Sequence, residues 1–208
     1  MNQKHLLSEA DRERVRAAVK AAEARTSGEF VTVIAQQSSD YGSMPVLWAA
    51  LVALCLPAVV LLVAPATDFE LMYGAQVASF FALALLFNLP ALRFMLAPSA
   101  LKRDTARQLA QKQFVQQGLH RTRGRTGLLL FVSVAERYVE ILADEGINNV
   151  VPPDTWNQIV RQFVQQVRDG KPADGFVDAI ARCGDVLAEH FPVAANDVNE
   201  LPDRMIEL

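Results

Sequence analysis

Apolar residues recur at three- and four-residue steps between Glu9 and Arg25, where Val15, Ala18, Val19 and Ala22 share one face, and this spacing predicts an amphipathic helix. Ser8, three residues before Asp11, supplies a capping-box start with Asp in place of the usual Glu or Gln. Ser27-Gly28 breaks the pattern, and Glu29 to Gln37 alternates as a strand would, with Phe30 or Val31, Val33 and Ala35 on its apolar side. From Pro45 to Ala64 and from Tyr73 to Leu92 the periodicity vanishes, because nearly every position is apolar and none is charged. A polar helix follows from Ser99 to Gln117, closed by Gly118. The continuous apolar run Thr126 to Val134 predicts a strand covered on both faces. Arg137 to Ala143 alternates and pairs beside it through the short Ala135-Glu136 turn. Two amphipathic helices, Pro153 to Arg168 and Asp174 to His190, complete the pattern, the first with proline at its start.

Each charge-free run has the length of a helix that crosses about 30 Å of hydrocarbon. The second carries only Gln76, Ser79 and Asn88 as polar side chains, and Gly74, Ala75, Ala78, Ser79, Ala82 and Ala84 offer small surfaces for close helix packing. Pro57 lies mid-span in the first and predicts a kink. A linker of Pro65 to Met72 forces both polar flanks to one side. It carries Asp68 and Glu70, whereas Arg93, Lys102, Arg103, Arg107 and Lys112 follow the second span, so the positive-inside rule places both flanks in the cytoplasm. The expected architecture is therefore an α/β (α+β) domain, a small mixed sheet flanked by helices, interrupted by a two-helix transmembrane hairpin. Residues 1–42 form its first part, 45–96 the hairpin (about 45–64 and 73–92), 99–192 its second part and 193–208 an acidic tail with Asp197, Glu200, Asp203 and Glu207.

Composition changes this picture little. Of 208 residues 20 are Lys or Arg and 23 Asp or Glu, a net charge of −3 that gives no basic surface for nucleic acid. The two cysteines, Cys55 in the first apolar run and Cys183 in the last helix, provide neither a disulfide framework nor a metal-ligand spacing.

The segment Gly118 to Trp156 resembles the central portion of the TPM domain, a family named for thylakoid-lumen, photosystem II repair and membrane-protein members. Gly127-Leu128-Leu129-Leu130 with Ser133 is similar to its first long strand, and Arg137 to Ile141 to its second. Ser8-Glu9 and Ser27 to Val31 resemble its opening helix and strand, Gly170 to Gly175 its penultimate loop, and Asn196 to Asp203 the ending of one branch. The resemblance implies the fold, and implies roles that in the family include acid phosphatase activity, calcium binding, photosystem II repair and accessory work beside membrane proteins. Two positions depart from its secreted members: Arg125-Thr126-Gly127 stands where they have Asp-Asn-Gly, and Asp144 to Asn148 where they have Gly-Tyr-Gly-Leu-Glu.

Two clusters carry candidate chemistry. Asp144, Glu145, Asn148 and Asp154 are hard oxygen donors between a strand and a helix, the donor type that Ca2+ or Mg2+ takes, and the type that caps a helix start. His120, Arg121, Arg123 and Arg125 form a basic loop suited to phosphate or anionic lipid. No Cys-x5-Arg, paired metal motif or Gly-rich phosphate loop accompanies them. Trp156 continues an apolar stripe through Ile159, Val160 and Phe163 and reads as core, and His190 sits at a helix end where its charge suits the dipole. The function expected is a non-catalytic, partner-binding or assembly and quality-control factor, multi-pass in the inner (plasma) membrane, whose partners are the lipid bilayer and another membrane protein. The alternative is a metal-assisted phosphatase acting on phosphate esters.

Overall fold

The computed structural model describes residues 6–193 and 205–208, in two compact units, one comprising the chain up to Ser38 and from Arg103 onward, the other Ser39 to Lys102. The first unit is a four-stranded mixed sheet in the order β3-β2-β1-β4, with β1 (Glu29–Ala35), β2 (Gly127–Ser133), β3 (Tyr138–Ala143) and β4 (Met205–Glu207). β1 runs parallel to β2 and β4, whereas β2 and β3 form an antiparallel hairpin. Helices α1 (Glu9–Glu23), α7 (Pro153–Arg168) and α8 (Pro172–His190) cover one face, and α5 (Ser99–Gln116) covers the other.

Side-chain alternation explains these layers. Phe30 and Ile34 of β1 with Leu128, Leu130 and Val132 of β2 point to one face, where they meet Val15, Val19, Phe163, Phe176 and Ile180. Val31, Val33, Ala35, Leu129 and Phe131 point to the other, against Ala106 and Ala110 of α5. All of β1 is buried, not only its alternate residues, because as an inner strand with helices on both sides it has no wet face. The capping box at Ser8 forms with Asp11, whose carboxyl is held below its usual range chiefly by the Ser8 hydrogen bonds. Gly118 adopts a left-handed φ of 78° at the end of α5, where a side chain would be strained.

Two expectations about the tail and the loops need correction. The last residues, read as part of an acidic tail, form β4: Leu208 N–H donates to the Ile34 carbonyl, and Arg12 Nε lies 2.8 Å from Glu207 Oε1. The remaining tail acids, Asp197, Glu200 and Asp203, and the family-like stretch Asn196 to Asp203 lie outside the described residues. α8 also starts at Pro172 rather than Asp174, because proline is preorganised for the first helical position.

The second unit is a helical hairpin of α2 (Met44–Val63) and α3 (Phe69–Phe87), followed by the short α4 (Pro90–Leu96). α2 continues through Pro57 to Val63. α3 starts earlier than predicted, just after Asp68, and ends at Phe87, since Pro90 forces Leu89 into an extended conformation. The helices pack along each other; of the small residues of α3, Ser79 and Ala84 are half-buried while Gly74, Ala75, Ala78 and Ala82 are exposed, and the buried alanines are Ala49 and Ala53 of α2. Met72, Gln76, Phe80, Leu83 and Phe87 of α3 are half-buried as well.

Candidate functional site

The basic and acidic loops, some twenty residues apart in sequence, meet at the start of the parallel strands. β2 begins at Gly127 and the antiparallel β3 ends opposite it, which brings the exit of β3 to the entry of β2. Asp144 N–H donates to the Gly127 carbonyl at 2.9 Å, and Gly146 N–H to the Arg125 carbonyl at 3.0 Å. The joint is tight. A Cβ on Gly146 would stand 2.4 Å from the Gly124 carbonyl oxygen and 2.7 Å from that of Arg125.

Within this joint Arg125 is held at a positive φ of 54° and turns its guanidinium onto the acids. Its Nε lies 3.0 Å from Asp144 Oδ2 and its Nη2 3.6 Å from Glu145 Oε2, while Nη1 donates to the His120 carbonyl. The Asp144 side chain is 6% exposed against 49% for Arg125, so a buried carboxylate is neutralised by a half-exposed cation. Asp144 also caps α6 (Glu145–Asn148) by accepting from the Glu145 N–H at 2.8 Å. Asn148 donates to the Ala143 carbonyl at 2.7 Å. Asp154 is engaged elsewhere, accepting from Gln158 at 2.9 Å and lying 3.6 Å from Arg161 in the first turns of α7.

Of the four oxygen donors singled out, then, Asp144 and Glu145 stand together beside a guanidinium, and Asp154 is paired on its own helix. A divalent cation at Asp144 would have to displace Arg125, and no group of three or more His, Cys, Asp or Glu side chains among the described residues is placed to hold a metal. Of the basic loop, Arg125 faces these acids, Arg121 and Arg123 are exposed, and His120 is half-buried with its Nδ1 unpaired. The arrangement closes a loop-to-loop clasp by charge and backbone fit.

At the opposite end of β1 and β2 sits a polar cluster that sequence reading missed. Ser38 and Ser133 join their hydroxyls at 2.7 Å, Ser133 hydrogen-bonds the Glu136 carboxylate, and the Ser38 N–H donates to both Glu136 oxygens at 3.1 Å. The carboxyl ends of parallel strands are where open sheets bind ligands, but here Glu136 accepts from the chain itself and ties the end of the β1 segment to the β2–β3 turn. The motif's three residues span ninety-eight positions, and no local spacing announces it. On the α5 face, Tyr138 Oη donates to Glu140 at 2.9 Å, and burial pushes both groups above their ordinary pKa values.

The hairpin unit presents different chemistry. Its helices are long and apolar enough to cross a membrane, and nearly all of that surface is uncovered: Leu62 is 86% exposed and Leu85 76%. Near its open end, Trp48 Nε1 donates to the Leu96 carbonyl at 3.0 Å, Arg93 donates to Asn88 Oδ1 at 2.6 Å, and Lys102 lies 3.9 Å over the ring of Phe94.

Residues 91–186 match the model of the TPM domain family, termed TPM_phosphatase, a stretch that includes α5, β2, β3, α6 and α7 and leaves α1 and β1 before it. Among solved structures the chain is similar to the BA42 protein of the psychrophilic bacterium Bizionia argentinensis, determined by NMR, at 20% identity and a TM-score of 0.62 over 99% of this chain and 98% of that one. At that identity the likeness establishes the fold. No curated protein matches the chain.

Proposed function

We propose that the chain is a membrane-tethered TPM-like domain, split in sequence by a transmembrane hairpin, that binds a partner protein at the cytoplasmic face and serves in assembly or quality control of membrane proteins. The observation that carries the reading is the uncovered hairpin. A core helix of a soluble protein of this length and hydropathy would be mostly buried, yet 11% of the apolar window of α2 and none of that of α3 is. Leaving such helices in water exposes a contiguous apolar surface of a kind that soluble monomers avoid. A bilayer removes it, and α2 at about 30 Å has the length to cross. Trp48, Arg93 and Lys102 near the open end suit the headgroup layer, and the acidic Asp68 and Glu70 at the closed end suit the far side.

Partner binding rather than catalysis is supported by the polar clusters themselves. Arg125 already faces Asp144 at one end of β2 and Ser133 faces Glu136 at the other, and none is an activated nucleophile beside a free base. The reading is tested by extracting membranes at alkaline pH and then isolating the chain in mild detergent. The chain is expected to stay with the membrane and to bring a stoichiometric second protein with it. Release into the supernatant, or repeated isolation of the chain alone, contradicts the proposal.

A further inference from the structure

Among the described residues the edge of the sheet at β3 is open, and a groove runs along it. The register of β2 and β3, with the Asp144 N–H bonded to the Gly127 carbonyl, fixes which backbone groups face which way. In an antiparallel ladder the hydrogen-bonding positions alternate, so Tyr138, Glu140 and Leu142 bond to β2 while Val139, Ile141 and Ala143 turn theirs outward. The bond from Asn148 to the outward Ala143 carbonyl agrees with that phase. Val139 and Ile141 have no backbone partner on their outer side among the described residues.

Two adjoining cavities of about 400 Å³ each follow this edge and share Tyr138 and Val139. Their far wall is α7, through Trp156 and Val160 in one and Val164 and Val167 in the other. Trp156 is 6% exposed, yet its indole N–H has no acceptor among the described residues. At the end where β3 begins, Arg137 and Arg168 line the groove, both exposed and neither in an ion pair among the described residues. A strand edge with unpaired amides, an apolar helical wall and two free guanidiniums at one end are complementary to a single kind of occupant.

We infer that the groove between the free edge of β3 and α7 binds an extended apolar peptide segment of a partner protein ending in a free carboxylate, which adds to the sheet as an antiparallel strand with its carboxylate at Arg137 and Arg168. Main-chain bonds to Val139 and Ile141 supply the register, alternate side chains of the peptide rest on the valines of α7, and the guanidiniums set its direction. The inference deepens the partner-binding reading above by naming the surface and the chemistry, and it rests on that reading.

The test uses the full chain in nanodiscs, with empty nanodiscs as baseline, and a fluorescein-labelled hexapeptide of alternating Val and Thr with a free C-terminus, followed by anisotropy. Saturable binding is expected. Amidating the C-terminus should weaken it by about tenfold or more, the loss of one charge-assisted contact. Arg137→Ala with Arg168→Ala, both exposed and therefore tolerated by the fold, should weaken the acid peptide to the level of the amide and leave the amide unchanged. N-methylation of alternate peptide amides should abolish binding. Equal affinity for acid and amide, indifference to N-methylation, absence of saturation, or peptide binding lost as the chain dimerises through this edge would each overturn the inference. If the double variant still brings down its partner from detergent, the groove assignment fails while the tethered partner-binding reading stands.

Discussion

Replacing Arg125 tests the clasp between the basic and acidic loops most sharply. Arg125→Ala removes the cation 3.0 Å from Asp144 and leaves that carboxylate, 6% exposed, with the Glu145 N–H as its donor. Breaking a buried pair by removing one partner costs about 3–5 kcal/mol. The guanidinium is 49% exposed, however, and exposed pairs are worth about 0.2–1 kcal/mol. Solvent screening on the arginine side places this pair between the two, and we expect Arg125→Ala to cost about 1–2 kcal/mol. Alanine keeps the positive φ of 54°, so the change reads the ion pair and not relief of backbone strain. Urea denaturation in detergent is followed by Trp156 fluorescence in a Trp48→Phe background, so that the hairpin does not contribute to the signal. With a slope of about 2 kcal/mol/M, the midpoint should fall by roughly 0.5–1 M. Asp144→Asn alone should cost less, and the double variant should show a coupling energy of about 1 kcal/mol or more. Strict additivity would refute the clasp. So would a calcium-dependent rise in the wild-type midpoint that Asp144→Asn removes, since a ligand of the native state stabilises it.

Three further outcomes follow from the same geometry. Gly146→Ala drives a methyl to 2.4 Å from a backbone oxygen and should cost about 2–3 kcal/mol in the same assay, with a loss under about 0.5 kcal/mol counting against the tight joint. Burial raises the Glu140 pKa, so the folded state holds that proton more firmly than the unfolded chain; the contribution is complete below the unfolded value and is lost as pH rises through the folded one. Glu140→Gln should therefore flatten the stability profile from just above pH 4.5 upward, and an unchanged profile would contradict it. Cys183 is fully buried with its thiol pushed up, and should resist maleimide in the native chain and react after denaturation; fast native labelling would show α8 displaced.

Strong local patterns were readable from sequence alone. The three-to-four-residue stripe of α1, its Ser8 cap and the β2–β3 hairpin emerge where expected, and the two apolar helices emerge with shifted bounds, because each is specified by neighbours in the chain. What escaped depends on partners far away. β4 is three residues long and mixed in character, so nothing in Met205-Ile206-Glu207 marks it as a strand until the edge of β1 lies beside it. The basic and acidic loops were recognised separately, and their charges suggested an anion site and a cation site. Folded together, Arg125 of the first pairs with Asp144 and Glu145 of the second, which only the β2–β3 register reveals. The packing seam of the hairpin is legible only in part, with Ser79 and Ala84 half-buried and the other small residues of α3 exposed, because within a uniformly apolar helix no period distinguishes one face from another.

The central claim is that two consecutive helices leave and re-enter one side of a membrane, so that β1 and β2 reach the same compartment and pair. Single cysteines in place of Gln37, Ala66 and Gln117, in a chain otherwise free of cysteine, can be labelled with a membrane-impermeant maleimide from each side of sealed vesicles. Positions 37 and 117 should react from the cytoplasmic side and position 66 from the opposite side. Labelling of 37 and 117 from different sides would leave β1 and β2 separated by the bilayer and would contradict the account.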